Sequence, residues 1–239
     1  MRKALRITRT VVLAVAVVYV ALCAVVYAMM RQPPPVLARF MDKVPAVGWM
    51  TLPMETLWTW ASRGDLGPGA EAPDFELPTV DGASRVRLSA LRGKPVVLVF
   101  GSYTCPPFRK KMPDINGLYE KYRERAAFYF VYIEEAHSTD GWPSKTNARE
   151  GVLYARAQKI EDRVQAGETC WTKLKIPFPM LVDDLDDHVG RRYQAWPIRV
   201  YIVDKDGKIA FKTLPGPFGF EADLVRPAFD KHLGAPAST

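Results

Sequence analysis

The longest uninterrupted apolar stretch stands near the start of the chain. Val11 to Met30, "VVLAVAVVYVALCAVVYAMM", is twenty residues without a charge, enough to cross a bilayer as one helix. It is longer than the apolar core of a cleaved leader and runs out at Met29-Met30-Arg31, with no small-residue cleavage site. The pattern therefore predicts an uncleaved signal anchor over 11–30, preceded by a basic segment at 1–10. Residues 31–68 mix prolines and glycines with Trp49, Trp58 and Trp60. They read as a juxtamembrane linker whose tryptophans lie at headgroup level or pack on the following domain.

From Gly69 onward the periodicity becomes that of a folded domain. "APDFELPTVDG" contains short extended pieces and an Asp81-Gly82 turn. "VVLVF" (Val96 to Phe100) and "FYFVYI" (Phe128 to Ile133) are unbroken apolar runs, the pattern of strands buried on both faces. Between them Ile115, Leu118, Tyr119 and Tyr122 fall at i, i+3, i+4 and i+7, one face of a helix. A second helix is predicted over 151–165 from Leu153, Ala157, Ile160 and Val164. A strand in "FPMLVDD", a hairpin turning at Asp206-Gly207 and a last helix over 221–232 complete the order. Parallel pairs with crossover helices, followed by a hairpin, predict an α/β domain over 69–235: a mixed central sheet with flanking helices. Residues 236–239 are left as a tail.

Charge changes the picture by its location. The formal net charge is +7 over 239 residues, and Arg2, Lys3, Arg6, Arg9 and Arg31 supply +5 of it with no acid among them. The remaining +2 is no basic footprint, so nucleic acid is not an expected partner. Four basic residues before the span, against Arg31, Arg39 and Lys43 after it, place the N-terminus in the cytoplasm and the domain outside it. That compartment is oxidising. Cys23 falls inside the span and reads as an inert thiol facing lipid.

Cys105 follows the first buried run and opens a helix. It is a buried filler, half of a redox pair or a lone nucleophile. Backbone N–H groups and the dipole at a helix start lower a thiol's pKa and raise its thiolate fraction, which is what a nucleophile needs. The fourth position of a Cys-x-x-Cys motif is Phe108, so the local partner for disulfide exchange is absent. Trp196-Pro197 precedes the strand Ile198 to Val203, where thioredoxin folds carry a cis-proline beside the active cysteine. "DDLDDH", Asp183 to His188, reads as solvated acids favoured by a helix start, and no metal is expected.

"APDFELPTVDG" with "LSALRGKPVVLVFGSYTCPPF" resembles the thioredoxin-like and peroxiredoxin superfamily. "FGSYTCPPF" followed by "VYIEEAHSTDGW" is more narrowly similar to the iodothyronine deiodinase family, with Cys105 in the place of its selenocysteine. The resemblance implies a thioredoxin-like fold and a membrane-anchored thiol oxidoreductase. Cys105 would attack a halogen or a peroxide oxygen. Ser102 and Thr104 would hydrogen-bond the thiolate, and His137 would relay a proton. Glu134 and Glu135 would orient that imidazole. Arg199 would hold a substrate carboxylate, with Pro197 and Trp142 completing the substrate side.

Duller roles stay open beside these: a loop cap for His137, solvated loop charges for the glutamates, and an exposed sheet face for Arg199. The expected partners are a small halogenated aromatic or peroxide, an external thiol reductant as electron donor, the membrane through 11–30, and a second copy in a homodimer. No cofactor is expected. The chain also departs from the family pattern. Sulfur replaces selenium, which predicts slower attack; Tyr103 stands two before Cys105; and the family's second histidine falls near Tyr154. Cys170 is the other thiol of the domain, either a resolving thiol or a structural one. Two competitors to the dehalogenase are a thiol peroxidase, against which Leu98 lacks the expected proline, and a non-catalytic binding module.

Overall fold

A computed structural model describes residues 2–219 and 222–234. The chain divides into two compact units, Met1–Ser62 and Arg63–Thr239. In the first, helix α1 (Arg2–Met30) carries the apolar run and is long and apolar enough to cross a membrane. The linker expected after it is instead three short helices, α2 (Pro34–Asp42), α3 (Ala46–Thr51) and α4 (Met54–Ala61). The prolines explain the difference. Pro33, Pro45 and Pro53 occupy N-cap positions, where a helix has no use for the amide that proline lacks. They start helices here instead of breaking them.

The second unit is built on a five-stranded sheet of order β5-β4-β3-β6-β7. Strands β3 (Val96–Gly101), β4 (Ala127–Tyr132) and β5 (Met180–Val182) run parallel, while β6 (Arg199–Val203) and β7 (Ile209–Lys212) are antiparallel. The β6–β7 hairpin turns where expected: Gly207 has φ +88°, and its N–H donates to the Asp204 carbonyl at 3.1 Å. A smaller hairpin, β1 (Glu76–Pro78) and β2 (Arg85–Arg87), precedes the sheet.

Alternation along the strands sends two sets of side chains to two faces. Val97, Val99, Phe128, Phe130, Val200 and Ile202 pack against α5 (Pro106–Tyr122), α7 (Ile160–Lys173) and α9 (Ala222–Leu233). Leu98, Phe100, Val131, Leu181, Tyr201 and Val203 pack against the β1–β2 hairpin and the short α8 (His188–Arg192). Both faces of β3 are covered, so its continuous apolar run has a simple cause.

The second domain helix is displaced from its predicted place. Ser144 caps α6 (Lys145–Glu150), which ends at Gly151 in the left-handed region, φ +70°. Residues 152–159 are irregular, Leu153 is exposed, and α7 begins at Ile160, with the Asp162 side chain closing a capping box on Lys159. Its buried face is Arg163, Ala166, Gly167 and Cys170. Glu221, the expected start of the last helix, and the tail lie outside the described residues.

Candidate functional site

The end of β3 and the start of α5 are brought together by a missing side chain. A Cβ on Gly101 would stand 2.7 Å from the Phe108 ring, so only glycine lets the first turn of α5 close over the strand end. The turn Ser102–Cys105 between them carries the thiol. Cys105 is the N-cap of α5, its N–H donating to the Ser102 carbonyl at 3.2 Å. Its side chain is 1% exposed. Burial pushes the thiol up to about 12, although the Phe108 N–H and the Arg109 cation favour the thiolate. The expectation of a depressed pKa is thereby overturned: desolvation outweighs the helix start.

The neighbouring hydroxyls fasten two loops together. The Thr104 N–H (2.9 Å) and hydroxyl both donate to the Glu135 carboxylate, and the Thr104 hydroxyl accepts the His137 N–H at 3.1 Å. Ser102 Oγ accepts the Ala136 N–H at 3.1 Å. The Tyr132 hydroxyl donates to the other Glu135 oxygen and accepts the Tyr103 N–H at 3.2 Å. Glu135 is buried, and desolvation raises its pKa against the bonds from Thr104 and Tyr132. Glu134 is also buried; its carboxylate pairs with Arg156 at 2.7 Å, while its N–H donates to Asp187 at 2.8 Å. Neither glutamate orients the imidazole, and neither is a solvated loop charge. They hold the loop that carries it.

His137 Nδ1 lies 3.0 Å from the Trp142 carbonyl, with the two rings 4.5 Å apart. A carbonyl only accepts, so Nδ1 bears the proton and Nε2 presents a lone pair. Burial lowers the imidazole pKa, and Arg109 lowers it further. The ring is neutral at pH 7, a proton acceptor before it is a donor.

The Trp196–Pro197 peptide is cis, and the adjoining Ile198 packs in the same cluster as Cys105. Arg199 follows on the other sheet face, fully buried, with one guanidinium nitrogen donating to the Arg63 carbonyl at 3.2 Å. It is not on an exposed face, and its side of the sheet is not that of Cys105. Cys170 is fully buried in the Cys105 cluster, and both thiols are free. Burial raises the Cys170 pKa as well.

The acids of 183–188 divide. Asp183 is buried and accepts the N–H groups of Asp184, Val189 and Gly190 at 2.9, 3.2 and 2.7 Å, capping α8. Asp187 is buried against Arg163 at 3.0 Å. Desolvation pushes both carboxyls up to about 6, so these two are not solvated as expected. Among the described residues no group of three or more His, Cys, Asp or Glu is arranged to hold a metal ion.

Four residues of the site escaped the sequence reading: Tyr132, Arg109, Asn147 and Glu150. Arg109 donates to the Tyr103 carbonyl (2.6 Å), Asn147 Oδ1 (2.9 Å) and Glu150 (2.6 Å), and Asn147 donates to the Thr104 carbonyl at 2.8 Å. The one available signal was an arginine in the first turn of a helix, where the dipole disfavours a cation.

Comparison with known proteins settles the family. Residues 6–233 match the model of the family described as Iodothyronine deiodinase. The chain belongs to the iodothyronine deiodinase family. It is 28% identical over 194 residues to a type I iodothyronine deiodinase of Xenopus laevis, covering 81% of this chain and 71% of the relative. Identity to a thyroxine 5-deiodinase of Gallus gallus is 32% over 166 residues, covering 69% and 62%. Against a type II iodothyronine deiodinase of Sus scrofa it is 33% over 158 residues, covering 65% and 58%. The chain thus spans less than two thirds of the latter two family members.

Among solved structures, it matches the thioredoxin domain of a thiol-disulfide oxidoreductase from Bacteroides vulgatus. The TM-score is 0.50 at 21% identity, covering 71% of this chain and 99% of the other. A thiol:disulfide interchange protein from Bacteroides sp. matches with TM-score 0.51 at 19% identity, covering 72% and 94%. At such identities the likeness establishes the thioredoxin-like fold alone.

Proposed function

We propose that this protein is a membrane-anchored thiol oxidoreductase of the deiodinase kind, with Cys105 as the nucleophile for reductive dehalogenation of an aromatic substrate. The observation that carries the reading is the bonding of the Cys105 turn to the His137 loop through Thr104 and Glu135, in a chain of this family. The thiol rests protonated, and the neutral His137, with Nε2 open, is the base that takes its proton. Sulfur then attacks the halogen: an S–halogen bond forms, the carbon–halogen bond breaks with its electron pair left on carbon, and the imidazolium returns the proton to that carbon. The enzyme thiol and the aryl halide become a sulfenyl halide and the dehalogenated arene.

One external thiol displaces halide from that sulfenyl halide to give a mixed disulfide, and a second releases Cys105 and leaves as a disulfide. Cys170 is a candidate to displace the halide in place of that first external thiol, giving an internal disulfide, supported by its place in the Cys105 cluster. The outward topology rests on the charge bias around the span.

Iodide release from thyroxine by the full chain in detergent, with excess dithiol, tests the reading. Release is expected from the wild type and is expected to vanish in Cys105→Ser. A well-folded wild type that releases no iodide would end the dehalogenase reading and move thiol peroxidase chemistry at Cys105 to first place.

A further inference from the structure

Arg109 is out of place by the ordinary rules. It lies in the first turn of α5, where the positive end of the helix dipole repels a cation, and its side chain is only 8% exposed. A buried charge in such a position persists only when it is paired and hydrogen-bonded. Here the pairing points at the thiol turn. The guanidinium spans the Tyr103 carbonyl at 2.6 Å and Asn147 Oδ1 at 2.9 Å, and lies 5.8 Å from the centre of the Tyr103 ring. Asn147, buried in α6, passes the grip on to the Thr104 carbonyl at 2.8 Å. Two consecutive carbonyls immediately before Cys105 are thus held by one arginine and its asparagine. The counter-ion, Glu150, reaches in from the end of α6 at 2.6 Å while its own side chain stays 49% exposed.

We propose that Arg109 is a positioning residue of the thiol site, fixing the Tyr103–Cys105 turn and supplying the positive charge a Cys105 thiolate requires, with Glu150 as the counter-ion that sets how much of that charge the sulfur feels. This rests on the reading of Cys105 as the nucleophile. Physically, the Arg109 cation favours the charged form of each thiol and the neutral form of the imidazole. It acts in that direction on Cys105, Cys170 and His137 alike. A partly solvated carboxylate beside it cancels part of the field, so removing the carboxylate and removing the guanidinium should act in opposite directions.

That opposition separates an electrostatic role from a merely structural one, because loosening the same clamp from either end would move the thiol one way. The test is alkylation of Cys105 by uncharged iodoacetamide in the full chain in detergent, followed by mass spectrometry of the Cys105 peptide. Glu150→Gln keeps an acceptor for Arg109 and removes only the charge; alkylation at fixed pH is expected to rise by about threefold, the equivalent of about half a pKa unit. Arg109→Met is expected to lower it by about as much. Rates that move together, or that stay within experimental error of the wild type, overturn the proposal. If Arg109→Met does not fold, Glu150→Gln decides alone: faster alkylation supports the proposal, and unchanged or slower alkylation overturns it. No substrate enters the measurement, so an absence of iodide release would defeat the dehalogenase reading and leave this result standing.

Discussion

At Cys105 two effects oppose each other, and burial wins. The helix start and Arg109 draw the thiol toward its anion, yet a sulfur 1% exposed has no water to solvate that anion, and its pKa stands near 12. At any pH well below that value the thiolate fraction rises tenfold per unit, so alkylation of Cys105 between pH 7 and 10 is expected to climb about tenfold per pH unit without a plateau. A plateau near neutral pH would mean the thiol titrates as an exposed, activated one. Slow alkylation at neutral pH does not by itself single out a non-catalytic module, because burial alone produces it. The position of Cys105, its neighbours Ser102 and Thr104, and His137 were all legible from motif and spacing. What those hydroxyls bond to was not, since Glu135, Ala136 and His137 reach them from the loop after β4.

Helices and strands show the same division. Val96–Gly101 and Ala127–Tyr132 announce themselves because a strand covered on both faces has no polar face to alternate with. Helix α7 did not, because its buried face includes Arg163 and Gly167, which apolar periodicity does not count. The arginine is buried by its pairing with Asp187 at 3.0 Å, and the glycine by the close approach of Met180 and Tyr132. At the β3–α5 junction the controlling residue is Gly101. Gly101→Ala would drive a methyl into the Phe108 ring at 2.7 Å, and it is expected to cost about 1–3 kcal/mol by overpacking. Denaturant unfolding measures this, and a neutral result would mean that α5 shifts freely on the strand.

Over the full chain, family and fold support a thioredoxin-like domain that follows a helix able to cross a membrane. The prediction here concerns α1. If it is an anchor, full-length protein is expected to stay with the membrane pellet through alkaline carbonate extraction, and protein lacking residues 1–30 is expected to leave it. Full-length protein found in the supernatant would remove the anchor. Helices α2 to α4 were hidden in the sequence by their prolines, which punctuate a linker and start a helix with equal ease.

Periodicity and local motif were enough to define the apolar span, the succession of strands along the chain, the cysteine at a strand–helix junction and the family. Each depends on residues close together in the chain, or on a pattern repeated along it. Packing settled the ionisation of Cys105, the side of the sheet on which Arg199 lies, the true start of α7 and the Arg109–Asn147–Glu150 clamp. Those are matters of burial and of partners some forty or more residues away, as Arg109 to Glu150 and Arg199 to Arg63 are. Desolvation and charge pairing depend on what surrounds a group in space, and a linear pattern of apolar and polar positions does not carry that information.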